Sequence, residues 1–132
     1  MPLDYWYDPA LKAVRTTVTG TLKEEEVVAH LRKLRDDDEV PAGIVEIVDF
    51  STADDFAIRA SAAGRIAFVV PELKERKDYR GTVFFAPNDL AFGMARVFQT
   101  LLEQLSHETE IYRDWNELEA TVRKRLDEEP IR

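Results

Sequence analysis

At 132 residues the chain has the length of one domain, enough to bury about two-thirds of its unfolded surface in a single core. Its 45% hydrophobic and 33% charged content reads as an ordinary soluble globular protein, and a net charge of −8 repels both a polyphosphate backbone and an acidic membrane surface. With no cysteine, disulfides, thiol nucleophiles, haem attachment and cysteine-ligated metals are excluded together.

The opening MPLDYWYDPALK has no basic region ahead of an apolar stretch, so it does not read as a signal peptide. No apolar run approaches the length of a membrane span, and a cytoplasmic location is the expectation. Asp4 to Asp8 alternates as a strand, with Trp6 on one face and Tyr5 and Tyr7 on the other. Asp8-Pro9-Ala10 is turn chemistry, and Leu11 to Thr19 resumes a β-branched strand, giving a hairpin that packs one aromatic face on the core. Thr21-Leu22-Lys23-Glu24 has capping-box spacing and predicts a helix with Val27, Val28, Leu31 and Leu34 on one stripe. The acidic runs Asp36 to Glu39 and Asp127 to Glu129 belong just beyond helix ends, because negative charge opposes the dipole at a helix carboxyl terminus.

Pro41-Ala42-Gly43 stops the first helix, and Ile44 to Val48 is a nearly continuous apolar strand of the kind covered on both faces. From Asp54, the spacing of Ile58, Ala62, Ile66, Val69 and Leu73 predicts a second helix reaching Pro71 or a turn beyond. Gly64 weakens it, and a strand over Ile66 to Val70 is the alternative. Gly81 to Ala86 forms the next strand, Asp89 to Leu105 the third helix and Glu108 to Tyr112 the last strand. Asp114-Trp115-Asn116-Glu117 then caps a final helix striped by Trp115, Leu118, Val122 and Leu126. The order β-β-α-β-α-β-α-β-α predicts an α/β domain over residues 1–132, with a mostly parallel sheet, right-handed crossovers and an N-terminal antiparallel hairpin.

Gly81 to Leu105 carries the functional expectation, since it places a helix N-terminus at the carboxyl end of a buried strand, where open α/β folds bind. Asp89 is a favoured N-cap and would occupy the donors an anion needs. Along the helix, Leu90, Met94, Val97, Phe98, Leu101 and Leu105 share one face and read as core, leaving Phe92 and Arg96 outward. That pair suits a partner-contact patch, and equally an isolated aromatic covered by the preceding loop. Gly93 suits a close approach of helix to sheet. Asp49, Asp54 and Asp55 do not assemble a metal-site pattern, and His30 and His107 lack a context for base catalysis. No Gly-x-Ser-x-Gly elbow or glycine-rich phosphate loop is present, so neither an enzyme nor a cofactor or metal is expected.

Three segments carry a family resemblance: Val48-Asp49-Phe50-Ser51, the turn Ala86 to Arg96, and Ile111-Tyr112-Arg113-Asp114. With the element order, they make the chain resemble the STAS domain of sulfate-transporter tails and anti-sigma-factor antagonists. It looks most like the small bacterial STAS-like proteins related to the sporulation anti-sigma-factor antagonist and to lipid-carrying CRAL-TRIO domains. The resemblance implies a non-enzymatic module that binds a protein partner or a small ligand. With the outward aromatic and arginine of the third helix, the expectation is a regulatory or scaffolding domain that binds a protein through the strand-end/helix edge around Phe50, Ser51, Phe92 and Arg96. Its alternative is a small apolar-ligand binder lined by Phe68, Val69, Met94 and Phe98, and homodimerisation through the aromatic hairpin or a helix face fits either. The antagonists' phosphorylated serine lies in an Asp-Ser-Ser-Gly-type motif. The matching stretch here, Asp54 to Ser61, has no Asp-Ser pair, leaving Ser51, Thr52 and Ser61 as the nearby hydroxyls.

Overall fold

Strand periodicity and β-branched content begin the architecture, which a computed structural model describes for residues 2–58 and 62–128. The hairpin forms as β1 (Leu3–Asp8) and β2 (Ala13–Lys23). Its turn is fixed by the Asp8 carboxylate, which accepts from the backbone N–H of Ala10 at 3.0 Å and of Leu11 at 3.4 Å. Then follow α1 (Glu24–Asp36), β3 (Val45–Ala57), α2 (Ala62–Lys77), β4 (Gly81–Phe85), α3 (Asp89–Gln104), β5 (Thr109–Tyr112) and α4 (Trp115–Glu128). The five strands lie in the order β1-β2-β3-β4-β5; β1 runs antiparallel to β2 and every other neighbouring pair is parallel.

The three crossovers β2-α1-β3, β3-α2-β4 and β4-α3-β5 all step the same way across the sheet, and connections of one hand then stack their helices on one face. Burial agrees. Val14, Val18, Val48, Phe50 and Phe84 share a core with Leu31, Ile66, Val70, Phe98 and Leu102 from the three helices. The chain leaves the last strand onto the other face, where Leu118 and Val122 of α4 meet Leu11, Ala13, Ile47 and Val83. Alternation along β3 therefore sends Glu46, Val48 and Phe50 toward three helices and Val45 and Ile47 toward one.

Several local expectations change. β2 runs on to Lys23, so Thr21 caps nothing; Glu26 instead accepts from the Lys23 backbone N–H at 3.1 Å at the start of α1. A register shift beside Gly20, at φ +69, bends this strand. β3 likewise continues to Ala57 alongside β2, with the Thr52 hydroxyl donating to the Val18 carbonyl at 2.8 Å, so Asp54 starts no helix. Ile66 to Val70 is helical, and α2 carries Pro71 on its solvent side before ending at Lys77. Asn88, not Asp89, caps α3 by accepting from the Ala91 N–H at 2.9 Å. Asp114 does cap α4, accepting from Asn116 and Glu117. No helix among the described residues is long and apolar enough to cross a membrane.

Candidate functional site

The face that α3 buries decides what the strand-end rim can offer. Ala91, Ala95, Phe98 and Leu102 point at the sheet, because two small residues let the helix backbone come close where larger ones would hold it off. This turns the expected core stripe onto a flank: Leu90 is 49% and Val97 56% exposed, with Met94 and Leu101 half-buried along the same line. Gly93 faces open space, so it serves no close approach. Phe92 is half-buried on the opposite flank, with the Arg113 guanidinium over its ring at 4.4 Å and Arg113 also on Asp89 at 3.1 Å. Since Arg113 follows β5, the Leu90–Leu101 flank turns the other way, toward α2. Among the described residues, α2 packs along α1, and no comparable packing joins it to α3.

Beneath these helices a cavity of about 60 Å³ is walled by Leu22, Ile66, Val70, Phe84, Phe98 and Leu102 and floored by polar groups. The Glu46 carboxylate, wholly buried, accepts from the Thr16 hydroxyl at 2.6 Å, from His30 Nε2 at 2.6 Å and from the Tyr79 hydroxyl at 2.7 Å. With its proton committed to Glu46, the Tyr79 oxygen accepts from Thr82 at 2.6 Å, and Thr82 in turn accepts from His107 Nε2 at 2.9 Å. This direction leaves His107 Nδ1 as the bare nitrogen of a neutral ring, buried with no partner among the described residues. The His107 ring also stacks on Tyr79, centroids 4.4 Å apart.

Electrostatics follow the same chain. Burial pushes the Glu46 carboxyl up, but the neighbouring His30 and the three donors outweigh it and hold it below the usual range. Burial, then the Glu46 charge, raises Tyr79 far above an ordinary phenol, so it remains a donor. Burial, aided by Lys74, pushes His107 down to about 4.

The sequence-derived residues separate accordingly. Phe50 is 1% exposed and stacks on Phe84 at 5.5 Å, so strand alternation removes it from any docking surface. Ser51 is half-buried on the opposite face, its N–H turned back to the Asp49 carboxylate at 2.8 Å. Arg96 is exposed, and Phe92 is half-buried, covered by the Arg113 guanidinium and not by the preceding loop. Of the four ligand-lining candidates only Phe98 reaches the cavity. Phe68 is 78% exposed because Ile66, Val69, Val70 and Leu73 take the inner face of α2; Val69 packs in the core, and Met94 stays on the flank. Ser61 lies outside the described residues. Glu46, inside an apolar run, and Tyr79, in a loop, were missed; a lone carboxylate on the buried parity of a central strand was the available signal, since it requires buried donors.

No protein-family profile matches the chain, and no curated protein sequence does. Among solved structures it is similar to a protein of the DUF3478 family with a SpoIIAA-like fold from Shewanella loihica PV-4, at 15% identity over 91% of each chain with a TM-score of 0.53. It is also similar to the anti-sigma factor antagonist SpoIIAA in its unphosphorylated form, at 21% identity over 93% of this chain and 97% of that one, again with a TM-score of 0.53. Neither neighbour is a CRAL-TRIO domain. Over nearly its whole length, then, the chain has the SpoIIAA-like, STAS-type fold.

Proposed function

We propose that this domain is a non-enzymatic regulatory or scaffolding module that binds a protein partner through the carboxyl rim of the sheet and the adjoining flank of α3. The observation that carries the reading is that flank: Leu90 and Val97 are about half exposed, in line with Met94 and Leu101, where α2 leaves them uncovered. A contiguous apolar stripe of this kind is what a partner's own apolar surface would cover. Arg96 and Ser51 would supply polar groups at its border, and Phe92, on the other flank of α3, would add an apolar contact. A protein of similar fold supports the class, since SpoIIAA is an anti-sigma factor antagonist. The buried polar chain supports a non-catalytic reading, because the Glu46 carboxylate and the Tyr79 hydroxyl at its centre are engaged with neighbouring side chains.

Comparative pull-downs test this. Val97→Asp and Arg96→Ala, both on exposed positions, should leave the unfolding free energy within about 0.5 kcal/mol of the wild type while removing the same partner from the eluate. Recovery of every partner in unchanged yield with both variants would sink the assignment. The apolar-ligand alternative rests on the cavity, yet about 60 Å³ is far below the ~300–1,000 Å³ typical of ligand pockets. A lipid would fit only if α2 and α3 parted. Native mass spectrometry of gently purified protein distinguishes the two readings, because the partner reading expects the bare chain mass.

A further inference from the structure

The outer edge of β1 points to a second copy of this chain. Strand β1 is the sheet border, and its six-residue pairing with β2 is regular from Leu3↔Val18 to Asp8↔Ala13. Edge strands are usually blunted by charged side chains, above all lysine, by proline or by a bulge. Leu3-Asp4-Tyr5-Trp6-Tyr7-Asp8 has no proline, lysine or bulge; of its two charges Asp8 is buried in the hairpin turn, which leaves Asp4, and Trp6 is 53% exposed. The Thr19 N–H donates to the Pro2 carbonyl at 2.8 Å, so Pro2↔Thr19 is a hydrogen-bonded pair of the antiparallel ladder. Alternation then turns the backbone of Asp4, Trp6 and Asp8 toward β2 and that of Leu3, Tyr5 and Tyr7 outward.

The outward set is symmetric about Tyr5. We propose that two copies pair antiparallel through β1 on a two-fold axis at Tyr5, joining the sheets edge to edge. Leu3 then meets the other copy's Tyr7, Tyr5 meets Tyr5, and each outward donor and acceptor is used, two bonds to a residue pair. Charge selects this register. It sets Asp4 opposite Trp6, whereas an axis at Trp6 would set Asp4 against Asp8 and spend two carboxylates on mutual repulsion. The helix side of the edge is open to receive the second copy, because a groove of about 270 Å³ lies between Leu3 and Tyr5 of β1 and Ala29 and Lys33 of α1. The interface is short, so the dimer is weak and reversible. Because each copy carries −8, it tightens as salt screens the repulsion.

The cysteine-free chain makes the register directly testable. Leu3→Cys and Tyr7→Cys proteins, mixed and treated with a short bifunctional thiol reagent, should give a cross-linked mixed dimer. Either alone should not, because in this register like positions lie four residues, about 13 Å, apart. Cross-linking of either protein alone at the rate of the mixture would overturn the register. Sedimentation equilibrium supplies the second arm. Tyr7→Pro removes an outward N–H that β2 does not use, so it should retain the wild-type circular dichroism and raise the dimer dissociation constant by about tenfold or more. A chain that stays monomeric to millimolar concentration in 0.5 M salt, or a dimer indifferent to Tyr7→Pro, overturns the proposal.

Discussion

The two faces of the sheet are covered by different means. Under α1, α2 and α3 lies a large apolar cluster with a hydrogen-bonded chain at its centre, from Thr16 and His30 through Glu46 and Tyr79 to Thr82 and His107. Under α4 the contact is small and apolar, made of Leu11, Ala13, Ile47, Val83, Leu118 and Val122. A dry apolar contact tolerates imprecision and loses stability in proportion to what is removed. A buried polar chain is all or none, since each group is satisfied only by its neighbour. The first face therefore sets which arrangement of α1 and the strands is allowed, and the second adds adhesion.

Truncation on each side should separate these roles. Glu46→Ala leaves Thr16, His30 and Tyr79 without their acceptor in a buried site, and the expected cost is about 3–5 kcal/mol by urea denaturation. Leu118→Ala opens a cavity of known type and should cost about 2–4 kcal/mol. The sharper contrast is repair. Replacing the chain's members together by apolar residues of similar volume should recover most of the Glu46→Ala loss. A Glu46→Ala protein as stable as the wild type would show that the chain constrains nothing.

Acid provides the next contrast, smaller and confined to the same face. The folded pKa of His107 is about 4 against 6.5 for a free ring, so between these values the unfolded chain binds the proton first. Stability from this group is complete above pH 6.5 and is lost as pH falls toward 4. Glu46, also held below its usual value, adds stability that is present above about 4.5 and lost as pH drops through its folded pKa. Both slopes have the same sign, so the melting temperature should decline steadily below pH 6.5. His107→Phe keeps the stack on Tyr79 and should flatten the 6.5-to-4 segment, whereas Leu118→Ala should melt lower with the wild-type slope.

What the sequence made legible follows from this asymmetry. Element order and strand direction were readable because Ile44 to Val48 and Gly81 to Ala86 are near-continuous apolar runs and the helices between them carry clear stripes. The inner face of α3 was misread because hydrophobicity was weighed by size. Leu90 and Val97 outrank Ala91 and Ala95 on any scale, yet packing against a flat sheet favours the small pair. The long β2–β3 overhang was hidden by Thr21 and Asp54, good helix caps that local geometry never uses as such. Glu46, His30 and Tyr79 come from separate elements, and a constellation assembled only by the tertiary fold leaves no spacing to read.

The uncovered half of the α4 face yields the smallest effect and the most local one. There Arg15 sits between two indoles, 5.2 Å from the centre of Trp6 and 4.6 Å from that of Trp115, with Asp8 at 3.5 Å from its guanidinium. Trp115 also meets Phe85 edge-on at 5.5 Å, so the stack ties the hairpin to α4 across a face that, among the described residues, no other helix covers. Arg15→Ala should cost only about 1 kcal/mol, because one indole is half in water. Its signature is optical: the chain has two tryptophans, both in this stack, and freeing Trp6 should red-shift the emission without moving the far-ultraviolet circular dichroism. Arg15→Lys should behave nearly like alanine, since an ammonium lacks the planar surface that both rings cover. An unchanged emission maximum in both variants would mean that solvent, not Arg15, sets the environment of Trp6, and that the hairpin and α4 are held together by Leu11 and Ala13 alone.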